Sequence, residues 1–201
     1  MARMTQPEPV TASSPVRVDF HTFELTDSHR RAPTGLSTSN GLVCSQPGMA
    51  VICTGISMGW VNVQVRVCRR PPIRVDTGAW DEIVDHSLET TTGALYVTSV
   101  MSDPPQLPLL TPQGPGTYRV RVHARGRDTA PDGVAHEPVE DYLLIVWPAA
   151  SQPDEIHQRR DRYGAELRAL PDRPAPPRAM LKVCGSASGW DVRGRTFPSD
   201  R

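Results

Sequence analysis

The sequence predicts an all-β protein, an antiparallel β-sandwich or open barrel of about seven to eight strands, with a C-terminal helix and a disordered tail. Three observations carry this. Residues 60–67 (WVNVQVRV) and 117–125 (TYRVRVHAR) alternate apolar and polar side chains with the period of two that a half-buried strand requires. Residues 49–54 (MAVICT) and 142–147 (YLLIVW) are short continuous apolar runs, the pattern of strands buried on both faces. Pro47-Gly48, Gly114-Pro115-Gly116 and Pro131-Asp132-Gly133 supply turn chemistry between such runs. A parallel α/β arrangement would need helical crossovers between strands, and the sequence shows none.

Taken in chain order, residues 1–15 are polar and carry Pro7, Pro9 and Pro15, which predicts a disordered N-terminus. The β-domain is expected over 16–149. Its first strand is 16–25. In 60–67, Val61, Val63, Val65 and Val67 face the core while Asn62, Gln64 and Arg66 face water. Segment 80–88 and the β-branched segment 94–101, which follows the turn-forming Gly93, add two more strands. Residues 150–170 are expected to hold a helix, at about 154–170, opening on Asp154 and Glu155 and stopping before Pro171. Residues 171–178 (PDRPAPPR) cannot build a helix or a sheet interior, so 171–201 reads as a Pro/Gly-rich flexible tail.

Twenty-two basic and 22 acidic residues leave no net charge, which argues against a dedicated nucleic-acid or membrane-surface protein. Residues 1–16 contain no apolar signal-peptide core and no run approaches a membrane span, so the expected location is cytoplasmic. Cys44, Cys53, Cys68 and Cys184 fit no zinc-binding spacing and are expected to be reduced, inert thiols.

No phosphate-binding glycine loop, metalloprotease helix, nucleophile elbow or calcium loop is present. No cofactor or metal site is therefore expected. The six histidines, His21, His29, His86, His123, His136 and His157, are scattered and read as ordinary polar or core residues rather than catalytic ones. Two charged sets stand out. Arg119, Arg121, His123 and Arg125 share one face of the 117–125 strand at ~6.5–7 Å spacing. This stripe is either a phosphate-tracking surface or, by the simpler reading, a solvated face paired with acids on neighbouring strands. Asp76, Asp81, Glu82, Asp85 and Glu89 form an acidic set that could imitate phosphates for a basic nuclease, or serve only as solubilising charge.

Three stretches together resemble the competence protein J family, the inhibitors of the competence DNA-entry nuclease. They are residues 18–23 (VDFHTF), residues 93–102 (GALYVTSVMS), and residues 115–120 (PGTYRV) followed by 141–144 (DYLL). The resemblance spans about residues 16–147. It implies an inhibitor or immunity-like protein with no chemistry of its own, blocking a nuclease or toxin as a protein partner. Trp80, Asp81, Glu82 and Asp85 are the expected partner-binding residues, carboxylates occupying phosphate positions and the aromatic filling the centre. Arg119, Arg121, His123 and Arg125 are a second candidate surface, although the zero net charge argues against nucleic acid as a partner. The competing readings are a carbohydrate- or lipid-binding sandwich using Trp60, Trp80 and Trp147, and an enzyme on a β-scaffold whose histidines and carboxylates meet only in space.

Overall fold

A computed structural model describes residues 8–27 and 39–170, and the expected flexible tail at 171–201 lies outside them. The described residues form eleven strands and one helix, confirming the all-β class. The strands are β1 (Val10–Asp19), β2 (Thr22–Thr26), β3 (Val43–Gln46), β4 (Met49–Cys53), β5 (Met58–Val67), β6 (Glu82–Thr90), β7 (Tyr96–Thr98), β8 (Gly116–Arg125), β9 (Val134–Ala135), β10 (Asp141–Pro148) and β11 (Glu155–Arg159); the helix is α1 (Arg162–Ala169). Of the two arrangements open at the sequence level, the strands adopt one curled sheet, a half-barrel, in the order β11-β6-β8-β10-β5-β1-β2-β4-β3. β7 and β9 attach to β2 and β5. The sheet is mixed, because β10 and β9 run parallel to β5 while the other pairs are antiparallel.

Curling brings β3 against β6. Gly48 N–H donates to Glu89 O at 2.8 Å, and Ser45 Oγ lies 2.7 Å from His86 Nε2 across the seam. The concave face holds one core, built from Val16, Val18, Phe23, Leu25, Ile52, the four β5 valines, Val84, Val120, Val122, Tyr142 and Leu144. β5 alternates as its sequence predicts, with every second residue buried. β4 and β10 are buried throughout their apolar runs.

Three expectations are corrected. The first strand is two strands, because residues 19–22 turn the chain back on itself. Residues 10–15 are not disordered: they pair with Val67 to Asn62 of β5. Pro15 is tolerated there because the closing pair Asp19–Thr22 directs the odd-numbered backbone groups of β1 away from β5, so its missing N–H falls on the side β5 does not use. Residues 155–159 are a strand on the edge of β6 rather than helix, bulged between Ile156 and Gln158. The helix starts later, where Asp161 caps it by accepting from Gly164 N–H at 2.8 Å.

Cys44, Cys53 and Cys68 are free thiols. Burial pushes Cys53 up to about 11 and, aided by Cys53 and Asp154, Cys44 up to about 12. Neither is a thiolate at neutral pH, in keeping with the inert reading.

Candidate functional site

The expected partner-binding residues do not form one exposed surface. Asp85 is buried and bound by Arg121 through two hydrogen bonds, Nε to Oδ1 at 2.6 Å and Nη2 to Oδ2 at 2.9 Å. Burial raises its carboxyl, but the Arg121 and His157 contacts outweigh that and hold it below the usual range. Glu82 is buried and bound by Arg168 of α1 at 2.8 and 3.1 Å, yet burial still pushes its carboxyl up. Trp80 and Asp81 are half-buried, and Asp81 Oδ2 accepts from Gly126 N–H at 2.9 Å.

The second candidate surface is corrected as well. Arg119, Arg121 and His123 are buried, and only Arg125 is exposed. For Arg121 and His123 the cause is the connection between β5 and β6, which lies against the convex face; Arg119 is covered by the connection between β10 and β11, donating to Gln152 O at 2.9 Å and Pro153 O at 3.0 Å. Cys68 and Trp80 pack on the Leu143, Ile145 and Trp147 cluster, Trp80 lies on His123 with ring centroids 5.3 Å apart, and Arg121 donates to Arg74 O at 3.3 Å. A strand that reads as half-wet is therefore covered on both faces. Burial pushes the His123 imidazole down to about 4, so it is neutral inside. The three tryptophans of the saccharide reading do not line one concave face: Trp147 is buried, and Arg125 lies over the Trp80 ring at 5.4 Å.

Five of the ten exposed large apolar side chains among the described residues gather elsewhere. Phe20 is 70% and Val134 60% exposed, and Met58, Trp60 and Val139 are each more than a third exposed. The sheet makes them neighbours. Met58 and Trp60 project from the convex face of β5 opposite Asp19 and Arg17, and Val134 pairs with Met58. Val139 precedes Glu140, whose carbonyl accepts from Asn62 N–H at 3.0 Å. Gly59 permits this closeness, because a Cβ there would meet Ala135 O at 2.0 Å. Phe20 extends the patch from the tip of the β1–β2 hairpin.

That tip is strained. Phe20 and His21 have φ of 58° and 62°, the type I′ geometry that hairpins usually give to Asn and Gly. A side chain in the left-handed region costs roughly 1–2 kcal/mol. His21 is held in compensation. Its N–H donates to Ser57 O at 3.2 Å and its carbonyl accepts from Thr54 N–H at 2.8 Å. Its ring stacks on Tyr163, with Nδ1 3.3 Å from the hydroxyl and Nε2 3.3 Å from Asp132 Oδ1. Burial pushes the Tyr163 hydroxyl up to about 12, so it stays protonated. Phe20 has no such hold and points to water. Strain kept at an exposed aromatic marks function more often than stability.

Carboxylates border the patch. Asp141, the first residue of β10, is half-exposed and paired with Arg125 at 2.8 Å, while Asp128, Asp132 and Glu137 are exposed on the segment between β8 and β10. Its one arginine, Arg127, is buried and bound to Asp161. Sequence reasoning missed this site. The only signals were the wet side of β5, which begins with Met58 and Trp60, and the Phe20-His21 pair inside what reads as a strand.

No family model and no curated protein matches the sequence. Two solved structures are similar in shape. ComJ of Bacillus subtilis, inhibitor of the DNA degrading activity of NucA, is 9% identical over 70% of this chain and 98% of its own, with a TM-score of 0.47. Crocagin biosynthetic gene J is 12% identical over 70% and 99%, with a TM-score of 0.42. The weak resemblance read in the sequence thus has a weak counterpart in shape. No helix among the described residues is long and apolar enough to cross a membrane.

Proposed function

We propose that the chain is a protein-binding domain that inhibits a nuclease or toxin by covering its active cleft, and that it does so with the convex face around Phe20 rather than with Trp80, Asp81, Glu82 and Asp85. The observation that carries this is the exposed cluster of Met58, Trp60 and Val134 on the sheet, joined by Phe20 at the β1–β2 hairpin tip and Val139 in the loop before β10. Soluble proteins rarely leave such a group uncovered unless it binds something. An apolar centre with an aromatic anchor and a polar rim is the anatomy of a protein interface. The rim carboxylates Asp128, Asp132 and Glu137 match the cation-lined cleft of an enzyme that holds nucleic acid. Inhibition of this kind asks no chemistry of the binding face. A nucleic-acid partner is disfavoured, since three of the four residues in the basic stripe are buried.

The test is titration of nuclease activity. Purified chain should suppress a DNase or RNase activity in extract of its own cell and co-elute with it one to one. The double variant Phe20→Asp, Trp60→Asp should do neither while remaining folded. Full suppression by that variant, or none by the wild-type chain, would refute the proposal.

A further inference from the structure

Three residues far apart in sequence meet at the seam of the half-barrel. Ser45 Oγ lies 2.7 Å from His86 Nε2, and His86 Nδ1 lies 2.7 Å from Asp154 Oδ1. Hydroxyl, imidazole and carboxylate in this order, each within hydrogen-bond reach of the next, are what nucleophilic serine chemistry requires, whatever fold carries them. With the Nδ1 proton donated to Asp154, the Nε2 lone pair faces the Ser45 hydroxyl at 2.7 Å, with Ser87 O a second, longer acceptor for the same proton at 3.2 Å.

The surroundings fix each member. Asn40 Nδ2 donates to the other oxygen of Asp154 at 2.6 Å, so the carboxylate cannot rotate away from His86. Burial raises the Asp154 carboxyl, but the bonds from His86 and Asn40 outweigh it and hold it below the usual range, as an anion. The loop carrying Asp154 is tied to β8 and β6: Arg119 Nη1 of β8 donates to Gln152 O at 2.9 Å and Pro153 O at 3.0 Å, and Gln152 N–H donates to Ser87 Oγ of β6 at 2.9 Å. Ser45 lies on the last strand of the sheet. The Gln46–Met49 pair closes a Pro47-Gly48 turn, and Cys53 N–H donates to Leu42 O, so even-numbered residues of β3 bond to β4. The Ser45 N–H therefore points away from β4 and takes no part in the β3–β4 ladder.

We propose that Ser45, His86 and Asp154 form a nucleophilic relay that cleaves short-chain acyl esters. Ser45 Oγ attacks the ester carbonyl and gives its proton to His86. His86 passes that proton to the departing alcohol as the carbonyl–oxygen bond breaks. Water then hydrolyses the acyl-serine, releasing the acid and restoring the hydroxyl. Ser45 is the nucleophile, His86 the base, and Asp154 a positioning residue. Short acyl groups are specified because Ser45 and His86 are half-buried while their same-face apolar neighbours Val43, Val84 and Leu88 are packed into the core and not open to a long chain. The relay lies apart from the Phe20 face and does not depend on the binding proposed there.

The experiment treats the full chain with a fluorophosphonate, followed by intact mass and peptide mapping. One adduct is expected, on Ser45. Its rate should rise with pH. It should fall at least tenfold in His86→Ala, and Asp154→Asn should lower the rate and displace the pH profile, which a merely structural role would leave unchanged. A purely mechanical clasp between β3 and β6 gives no adduct. An unlabelled Ser45 in the folded wild-type chain, or labelling unaffected by loss of His86, overturns the proposal. Mapping on the wild type decides even where a variant does not fold.

Discussion

Arg127 and Asp161 form a fully buried ion pair, Nε to Oδ2 at 2.6 Å and Nη2 to Oδ1 at 2.9 Å, with side chains 0% and 2% exposed. Arg127 also donates to Gly41 O at 2.9 Å, and Asp161 caps α1. One pair thus joins the end of the sheet to the helix and to the segment before β3. Removing either partner leaves the other charge buried and unpaired, which costs about 3–5 kcal/mol. Arg127→Ala and Asp161→Ala should each lower stability by that order in urea unfolding. The double variant should lose clearly less than the sum. Additive losses would mean that the two groups do not act as a pair.

A related outcome is expected for Glu82 and Asp85. Each is buried against an arginine, Arg168 and Arg121. Glu82→Lys or Asp85→Lys places two cations where one ion pair stood. Either variant should unfold or melt far below the wild-type chain, by thermal circular dichroism. A variant that melts normally but binds its partner poorly would return these residues to the interface.

The contrast between β5 and β8 shows how far the sequence was legible. Both alternate with period two, and β5 behaves accordingly because its convex face stays open. β8 has the same pattern, but the connection before β6 covers Arg121 and His123 on its convex face, and the connection before β11 covers Arg119. Periodicity reports which residues share a face, not what lies over that face. The hairpin at Phe20 was hidden because neither central residue is the Gly or Asn that its geometry favours. β11 was hidden because Asp154 and Glu155 imitate a helix start, while the open edge of β6 takes the segment as a strand. Ser45, His86 and Asp154 have no local spacing to read, since only curling of the sheet brings them together.

Acid stability should carry the signature of His123. Its imidazole is pushed down from 6.5 to about 4 by burial, opposed by its bond to Leu143 O. Between these values the unfolded chain binds a proton that the folded chain refuses. Its contribution is therefore fully present above pH 6.5 and lost as pH falls towards about 4. The loss amounts to about 3 kcal/mol by linkage. His123→Phe keeps a ring against Trp80 and removes the titration. Urea unfolding from pH 7 to 4 should give a slope smaller by about 1.4 kcal/mol per pH unit in the variant. Equal slopes would show that His123 protonates freely in the fold.

The Phe20 hairpin separates binding from stability most cleanly. Phe20→Asn places at φ 58° a residue that accepts the left-handed region and removes the exposed ring. Relief of strain and loss of a solvent-facing aromatic both favour the folded state, so the variant should be as stable as the wild-type chain or up to ~1 kcal/mol more stable. Its affinity for the partner should fall at least tenfold, because a central aromatic anchor is commonly worth ~2 kcal/mol or more. A control is Ile73→Asn, which removes an apolar side chain as fully exposed but remote from the patch, and should change neither quantity. Stability comes from urea unfolding and affinity from titration calorimetry with the captured partner. If Phe20→Asn loses stability and keeps its affinity, the ring supports the hairpin, and the strained tip is a packing device rather than the centre of an interface.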